Sequence, residues 1–332
     1  MKRVRFAVIG TNTITDQFIK AAMCNDAFEL TAVYSRTEAR AREFANTYQV
    51  KTIYTSLEEL AKSDKVDAVY IASPNAYHAK QAILMMQHQK HVLCEKPLAS
   101  NLAEVVEMIE TAKACGVTFM EAMIPTTLPN FAVIKENLHK IGPVRRYFAS
   151  FCKYSSRYDA YLAGEVLNAF RPELSNGALV DIGVYTLAPL IALFGKPNSI
   201  KAHGYLLASG VDGEGTVSLE YDELLATVMY SKITDSHVPM EIQGELGTLV
   251  IDTVQKMTEV KLIKRTGEVE IISVSQTTQL MQYELNEFIA AILAGQREST
   301  SNTWEQSINL MGVLDQVREQ IGLIYPADAK HD

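Results

Sequence analysis

Short apolar runs alternate with helical patterns over the first third of the chain. VRFAVIG (residues 4–10) has the length and composition of a buried strand, and TDQFIKAAMCN (15–25) then repeats apolar residues at helical spacing. The alternation continues to a sixth strand, TFMEA (118–122). Strands joined by helices form a parallel sheet covered on both faces, with ligands at the carboxyl ends of the strands. Residues 1–122 are therefore predicted to form a doubly wound α/β domain.

The pattern changes at about residue 123. A helix, LPNFAVIKENLHKI, precedes a long strand, PVRRYFASFCKYS, and a helix-like segment, GALVDIGVYTLAPLIALFG. Seven further strands follow, separated by the turn signals DGEG, DE, GELG and RTG, and strands joined by short turns form an antiparallel sheet. Residues 123–332 are predicted to form an α+β domain on one large open, mainly antiparallel sheet. Two helices close the chain, and the last, about 303–322, is expected to pack back on the first domain.

An open sheet leaves one face to be covered. Burying that face against a second copy is the expected route to a homodimer or a dimer of dimers.

Composition supports two domains and a small-molecule partner. The chain has 332 residues, of which 48% are hydrophobic and 21% charged, so it is expected to be globular. Its net charge of -8 argues against nucleic-acid binding. The four cysteines lack C-x-x-C spacing and the histidines lack ligand spacing, which favours reduced thiols in the cytoplasm and no metal. We expect no membrane segment, since the N-terminal apolar run is short and no later stretch is expected to span a bilayer.

VIGTNTIT (8–15) follows the first strand where a glycine-rich phosphate-binding turn would lie. Gly10 keeps the first glycine, and Asn12, which tolerates positive φ, could replace the second. Hydroxyls at Thr13 and Thr15 near a helix N-terminus favour an anion. A turn that has lost its ligand is the alternative. The cofactor-binding candidates here are Gly10, Thr11, Asn12, Thr13 and Ile14.

The second strand ends in VYSRT, with Ser35 and Arg36 where a carboxylate would bind the ribose of NAD. A hydroxyl and a guanidinium suit a 2′-phosphate, so NADP is the preferred cofactor and NAD the alternative. A surface arginine at a helix start is the other interpretation of Arg36.

VLCEKPLA (92–99) places Glu95, Lys96 and Pro97 at the end of the fifth strand, where a lysine would face the ligand. This EKP run and its flanking residues resemble the glucose-fructose oxidoreductase and inositol dehydrogenase (Gfo/Idh/MocA) family, and the resemblance extends over essentially the whole chain. It implies an N-terminal Rossmann domain and an NAD(P)-dependent oxidoreductase.

NGALVDIGVYTLAPL is similar to the substrate-domain signature of that family. The resemblance implies that Lys96, Asp181 and Tyr185 are the catalytic residues. Asp181 and Tyr185 are four apart, so on a helix they share a face, and Pro189 should loosen that helix at Tyr185. A nearby ammonium would lower the pKa of the phenol, so that Tyr185 could handle the proton that accompanies hydride transfer. A surface carboxylate and a core aromatic ring are the alternative interpretations.

Weaker candidates complete the set. Ser73, Pro74, Asn75 and His78 follow the fourth strand, where family members contact the cofactor, although His78 could equally be a solvated helix histidine. Glu95 and Lys96 of the EKP run are also cofactor-binding candidates, and Glu121, at the end of the sixth strand, matches a family position near the nicotinamide. Residues between the long strand and the Asp181 helix would contact the substrate, namely Arg157, Tyr158, Asn168 and Arg171.

The leading hypothesis is a dehydrogenase or reductase that transfers a hydride between NAD(P) and a sugar, polyol or dihydrodiol-like alcohol. The chain has Tyr185 where histidine is commoner in the family, and in this it resembles the dimeric dihydrodiol dehydrogenase branch. The competing hypothesis is a cofactor-binding sensor of the same fold that has lost turnover, which the glycine-poor turn favours.

Overall fold

The computed structural model describes residues 3–330. The chain divides into two compact units. Unit 1 holds the chain up to Met123 together with Thr278–Ser307, and unit 2 holds Ile124–Thr277 together with the chain from Ile308.

Unit 1 is built on a six-stranded parallel sheet in the order β3-β2-β1-β4-β5-β6. This order confirms the predicted doubly wound fold and brings the carboxyl ends of all six strands to one edge. The strands are β1 (Val4–Ile9), β2 (Phe28–Tyr34), β3 (Thr52–Tyr54), β4 (Ala68–Ile71), β5 (His91–Glu95) and β6 (Phe119–Ala122), and the helices are α1 (Thr13–Ala22), α2 (Glu38–Thr47), α3 (Leu57–Lys62), α4 (His78–Gln87) and α5 (Leu102–Cys115).

Unit 2 is built on an eight-stranded sheet in the order β14-β13-β12-β11-β7-β10-β9-β8. The β7–β10 pair is parallel and the other pairs are antiparallel, which confirms a mainly antiparallel sheet. The strands are β7 (Val144–Cys152), β8 (Ser199–Leu206), β9 (Asp212–Glu220), β10 (Leu225–Ser231), β11 (Met240–Gly244), β12 (Gly247–Ile251), β13 (Val260–Lys264) and β14 (Val269–Ile271), and the helices are α6 (Ile124–Thr127), α7 (Pro129–Asn137), α8 (Tyr158–Leu162) and α9 (Val184–Phe194).

Two longer helices follow, α10 (Met281–Leu293) and α11 (Trp304–Ile321). Single 3₁₀ turns lie at Asn75–Tyr77, Leu138–Ile141, Asn168–Phe170, Pro172–Leu174 and Asp328–Lys330.

Unit 1 takes α10 and the first turn of α11 from the C-terminal region, whereas the sequence placed all of 123–332 in the second domain. Phe288 of α10 supplies the reason, because its fully buried ring packs on Phe6 of β1 with centroids 6.0 Å apart. Most of α11, from Ile308 onward, belongs to unit 2.

The DGEG segment is strand and not the predicted turn. Asp212 and Gly213 are buried at the start of β9, and Gly215 lies against the ring of Tyr230. Tertiary packing thus overrides the turn composition of these four residues.

The helical segment Pro172–Phe194 is long and apolar enough to cross a membrane, with a mean hydropathy of 1.8. By length and composition, the expectation that no such stretch exists is therefore wrong. Of its most apolar window, 67% is buried inside the protein, as in the core helix of a globular domain. The hydroxyl of Tyr147 on β7 donates to the Thr186 carbonyl at 2.8 Å and ties the sheet to α9.

Candidate active site

Gly10 lies at the β1–α1 turn with φ of 118°, a conformation that favours glycine. A Cβ at this position would stand 2.6 Å from the carbonyl oxygen of Ala72, so the turn also needs the space. The first-glycine role assigned to Gly10 thus has a steric basis.

Asn12 has φ of −106° and caps α1, which corrects the expectation that it replaces a glycine at positive φ. Its side-chain oxygen Oδ1 accepts from the Thr15 N–H at 3.1 Å, and its side-chain Nδ2 donates to the Ala72 carbonyl oxygen at 2.7 Å. The Thr15 side chain is buried and bonds back to Asn12. Thr13 is therefore the threonine of this turn that solvent reaches freely.

The turn is also held from α2. Arg40 donates to the carbonyl oxygen of Thr11 at 2.7 Å, and Ile14 is half-buried on α1. Ser35 and Arg36 follow the end of β2, with the Ser35 N–H bonded to Tyr54 and Arg36 exposed to solvent. The positive charge of Arg36 opposes the burial that raises the pKa of Tyr34.

The EKP segment ends β5. The hydroxyl of Tyr70 donates to Glu95 at 2.5 Å, and the Lys96–Pro97 peptide bond is cis. His78 is buried next to this segment. Its ring nitrogens lie 3.0 Å from the Pro97 carbonyl oxygen and 2.8 Å from the Ser73 carbonyl oxygen. Burial lowers the pKa of this histidine. His78 is thus a buried residue that links the segments after two strands, and not a solvated helix histidine. Pro74 and Asn75 are half-buried beside it.

Two buried carboxyl groups of unit 1, Glu121 and Glu284, lie within the influence of the Glu95 charge. Glu121 on β6 accepts from Ser307 at 2.7 Å, and burial raises its pKa to about 7, with Lys96 acting in the opposite direction. Glu284 on α10 is fully buried, and neither of its carboxyl oxygens has a partner within residues 3–330. Burial, and then the charge of Glu95, raise the pKa of Glu284. No sequence motif singled out Glu284.

Asp181 lies in a π-helical turn, Leu179–Gly183, directly before α9. The Val184 N–H donates to the Leu179 carbonyl five residues earlier, which widens the turn, so Asp181 and Tyr185 do not follow the α-helical spacing assumed from the sequence. The helical irregularity thus lies directly before α9, at Leu179–Gly183, and not at Tyr185, where Pro189 was expected to loosen the helix. Pro189 itself lies inside α9.

The π-helical turn is held in place by residues of the unit 2 sheet. Asp212 accepts from the backbone N–H groups of Ala178 at 2.9 Å and Leu179 at 2.7 Å. A Cβ on Gly183 would stand 2.9 Å from the ring of Tyr230, so the turn packs directly on β10. Burial raises the pKa of Asp212 to about 6, and its backbone partners and Lys232 oppose that rise.

Lys232, just after β10, forms an ion pair with Asp181. No sequence motif selects this lysine, because only the folded sheet brings it to the turn. Tyr185 is half-buried at the start of α9 and meets the Phe151 ring edge to face at 5.7 Å.

Of the candidate substrate residues, Tyr158 is linked to this arrangement through Phe170. Its ring packs on Phe170 with centroids 5.8 Å apart, and Phe170 lies beneath Lys232. Arg157 and Asn168 are exposed, whereas Arg171 donates to the Val166 carbonyl at 2.9 Å and so supports its own loop. In residues 3–330, no three His, Cys, Asp or Glu side chains are grouped to hold a metal ion.

Comparison with known proteins identifies the family. Residues 4–123 match the profile described as the GFO/IDH/MocA oxidoreductase family, NAD-binding Rossmann fold, and residues 137–250 match the C-terminal domain of that family.

Several relatives match along their whole length. The chain is 54% identical to scyllo-inositol 2-dehydrogenase (NADP(+)) IolU of Bacillus subtilis, over 98% of this chain and 99% of that protein. It is 30% identical to trans-1,2-dihydrobenzene-1,2-diol dehydrogenase of Danio rerio, over 98% and 99%. The fold matches KijD10, a 3-ketoreductase from Actinomadura kijaniata in complex with NADP and TDP-benzene, with a TM-score of 0.84 at 23% identity, over 96% and 98%. The chain belongs to the GFO/IDH/MocA family and is an NAD(P)-dependent oxidoreductase.

Proposed function

We propose that this protein is an NADP-dependent dehydrogenase of inositols or closely related cyclic polyols. The observation that carries the proposal is the 54% identity to scyllo-inositol 2-dehydrogenase (NADP(+)) over nearly the whole of both chains. In the oxidative direction a ring CH–OH becomes a ketone, with one hydride and one proton leaving the substrate. When bound, NADP(+) supplies the hydride acceptor.

The residues of unit 1 fit such a cofactor. Gly10 lets the turn lie close to the Ala72 carbonyl, and the capped α1 helix directs its first N–H groups at the turn, where a pyrophosphate would be stabilised. Arg36 is exposed at the end of β2 and free to pair with a 2′-phosphate. These features support a phosphate site at this turn, although two glycines are missing.

The proton is assigned to Tyr185 with Lys96. A phenol has a pKa near 10 in water, so Tyr185 needs a lowered pKa to act as an effective base at neutral pH. Asp181 accepts a hydrogen bond from the substrate hydroxyl and orients it. Tyr158 offers an aromatic surface to the ring of a cyclic polyol, while Arg157 and Asn168 offer exposed donors.

The proposal is tested by a substrate screen with both cofactors. Purified protein is incubated with NADP(+) or NAD(+) and with scyllo-inositol, myo-inositol, glucose or an aromatic trans-diol, and the absorbance of reduced nicotinamide is followed. Turnover of an inositol, faster with NADP(+), is expected. Turnover of the aromatic diol alone would reassign the substrate to the dihydrodiol class. NADPH binding without any turnover would favour the sensor hypothesis.

The assembly is proposed to be a homodimer through the open face of the unit 2 sheet. Two apolar side chains on its strands are largely exposed, Tyr205 on β8 at 60% and Leu225 on β10 at 52%. Sedimentation of a Tyr205→Glu, Leu225→Glu variant should show a smaller species than the unmodified chain does. We also place the protein in the cytoplasm, because its four cysteines are all free, and cell fractionation tests this.

A further inference from the structure

Lys232 carries an ammonium that is almost fully buried. The residue is 3% exposed, directly after β10. Its ammonium pairs with the carboxylate of Asp181, whose side chain is 36% exposed. A buried cation thus contacts a half-exposed carboxylate. Under the proposed function, this carboxylate accepts a hydrogen bond from the substrate. Burial of a lysine at this depth needs a partner of opposite charge.

The position of Lys232 is fixed from several sides. Its backbone N–H donates to Gly213 at 2.8 Å, and its carbonyl accepts from Ser155 at 2.8 Å. The ammonium lies 5.2 Å from the centre of the Phe170 ring. Strand, loop and aromatic ring therefore hold the flexible lysine side chain in one place.

Two carboxyl groups lie within the influence of this ammonium, and they differ in exposure. Asp212 is fully buried, and both its oxygens accept backbone N–H groups at the start of the π-helical turn, which commits that residue to structure. The Asp181 side chain is 36% exposed, so a small molecule can reach it. An adjacent cation favours the ionised form of a carboxyl group and restricts its orientation.

We infer that Lys232 is a positioning residue for the oxidation of the polyol: it keeps Asp181 ionised and fixed so that Asp181 accepts a hydrogen bond from the substrate hydroxyl. Lys232 acts through Asp181, since its own side chain is buried. The inference rests on the proposed function and adds a residue that no motif identifies.

The test compares Lys232→Met and Lys232→Gln with the unmodified enzyme, measuring kcat across pH with the best polyol substrate. Without the ammonium, we expect kcat to fall at least about tenfold and its acid limb to move up by about one pH unit. Lys232→Arg keeps the charge and should leave the limb in place. The control is Lys90→Met, which removes another buried lysine, one that donates to the Ser63 carbonyl of unit 1, and it should not move the limb.

An unmoved acid limb in both neutral variants would overturn the inference and leave the proposed function standing. If the unmodified protein turns over no polyol, the proposed function fails instead. A double-mutant cycle on Tm, with Asp181→Asn, Lys232→Gln and the double variant, then decides the pairing without substrate. Losses that do not add support the pairing, and additive losses overturn it. If Lys232→Met does not fold, Lys232→Gln carries both measurements.

Discussion

The side-chain amide of Asn12 donates to the carbonyl oxygen of Ala72 at 2.7 Å and joins the first turn of α1 to the end of β4. The same carbonyl oxygen is the atom that a Cβ on Gly10 would meet. One glycine thus permits the close approach, and the asparagine adds a hydrogen bond between the same two segments. This relationship holds the turn with two glycines missing against the end of β4, beside the proposed phosphate site.

Asn12→Asp should weaken NADPH binding at least about tenfold, because aspartate caps a helix as well as asparagine but cannot donate to Ala72 and adds a negative charge beside the pyrophosphate. Titration of nicotinamide fluorescence measures this. Asn101→Asp is the matched control, since Asn101 caps α5 through an equivalent bond, 3.0 Å from the Glu104 N–H. Equal weakening in both variants would contradict a specific role for Asn12.

Arg36→Ala should weaken NADPH binding by roughly ten- to a hundredfold and NADH binding far less, because a charge-assisted bond to the 2′-phosphate is worth about 1.5–3 kcal/mol. The same titration with both cofactors gives the ratio. Arg42→Ala is the control, since Arg42 is likewise exposed but lies on α2, where it pairs with Glu38. An equal loss for NADPH and NADH would remove the 2′-phosphate contact.

Tyr185→Phe and Lys96→Met should each lower kcat by at least about a hundredfold and leave NADPH affinity nearly unchanged, because general acid–base catalysis contributes about that much. The control, Tyr221→Phe, removes a hydroxyl that donates to the Gly195 carbonyl elsewhere in unit 2. Its turnover should stay close to that of the unmodified enzyme. Full activity of Tyr185→Phe would show that another group handles the proton.

The fold could be predicted because it depends on local periodicity. Each strand of the parallel sheet and each helix around it carries its own apolar pattern. The EKP motif lies at the end of a strand, and the DIGVY motif lies in a helical segment. The sequence could not show how distant segments pair. Phe288 brings α10 into unit 1 by contact with Phe6, and Asp212 belongs to β9 because it binds the turn at Ala178.

Residues that support the candidate site were missed for the same reason. Lys232 and Glu284 lie in ordinary strand and helix patterns, and neither has a neighbour in sequence that marks it. Their significance comes from burial beside Asp181 and Glu95, which only the folded chain provides. The π-helical turn at Asp181 likewise has no sequence signal separate from that of the helix after it.

Glu121 should make the protein less stable as the pH rises toward neutral. Its pKa is about 7 in the folded chain, above the ordinary value of 4.5, so the folded state holds the proton more tightly. The stabilisation is complete below about pH 4.5 and is lost as the pH rises to about 7, at about 1.4 kcal/mol per pH unit. Glu284, whose pKa burial also raises, contributes in the same direction.

Glu121→Gln removes this titration, so the free energy of unfolding should fall less steeply between about pH 5 and 7 than in the unmodified protein. Denaturant unfolding at a series of pH values measures the slope. Glu110→Gln is the control, because Glu110 is exposed and pairs with Lys113 on α5, and its slope should match the unmodified protein. If Glu121→Gln leaves the slope unchanged, the Glu121 carboxyl ionises in the folded protein as it does in water, and Ser307 and Lys96 offset its burial in full.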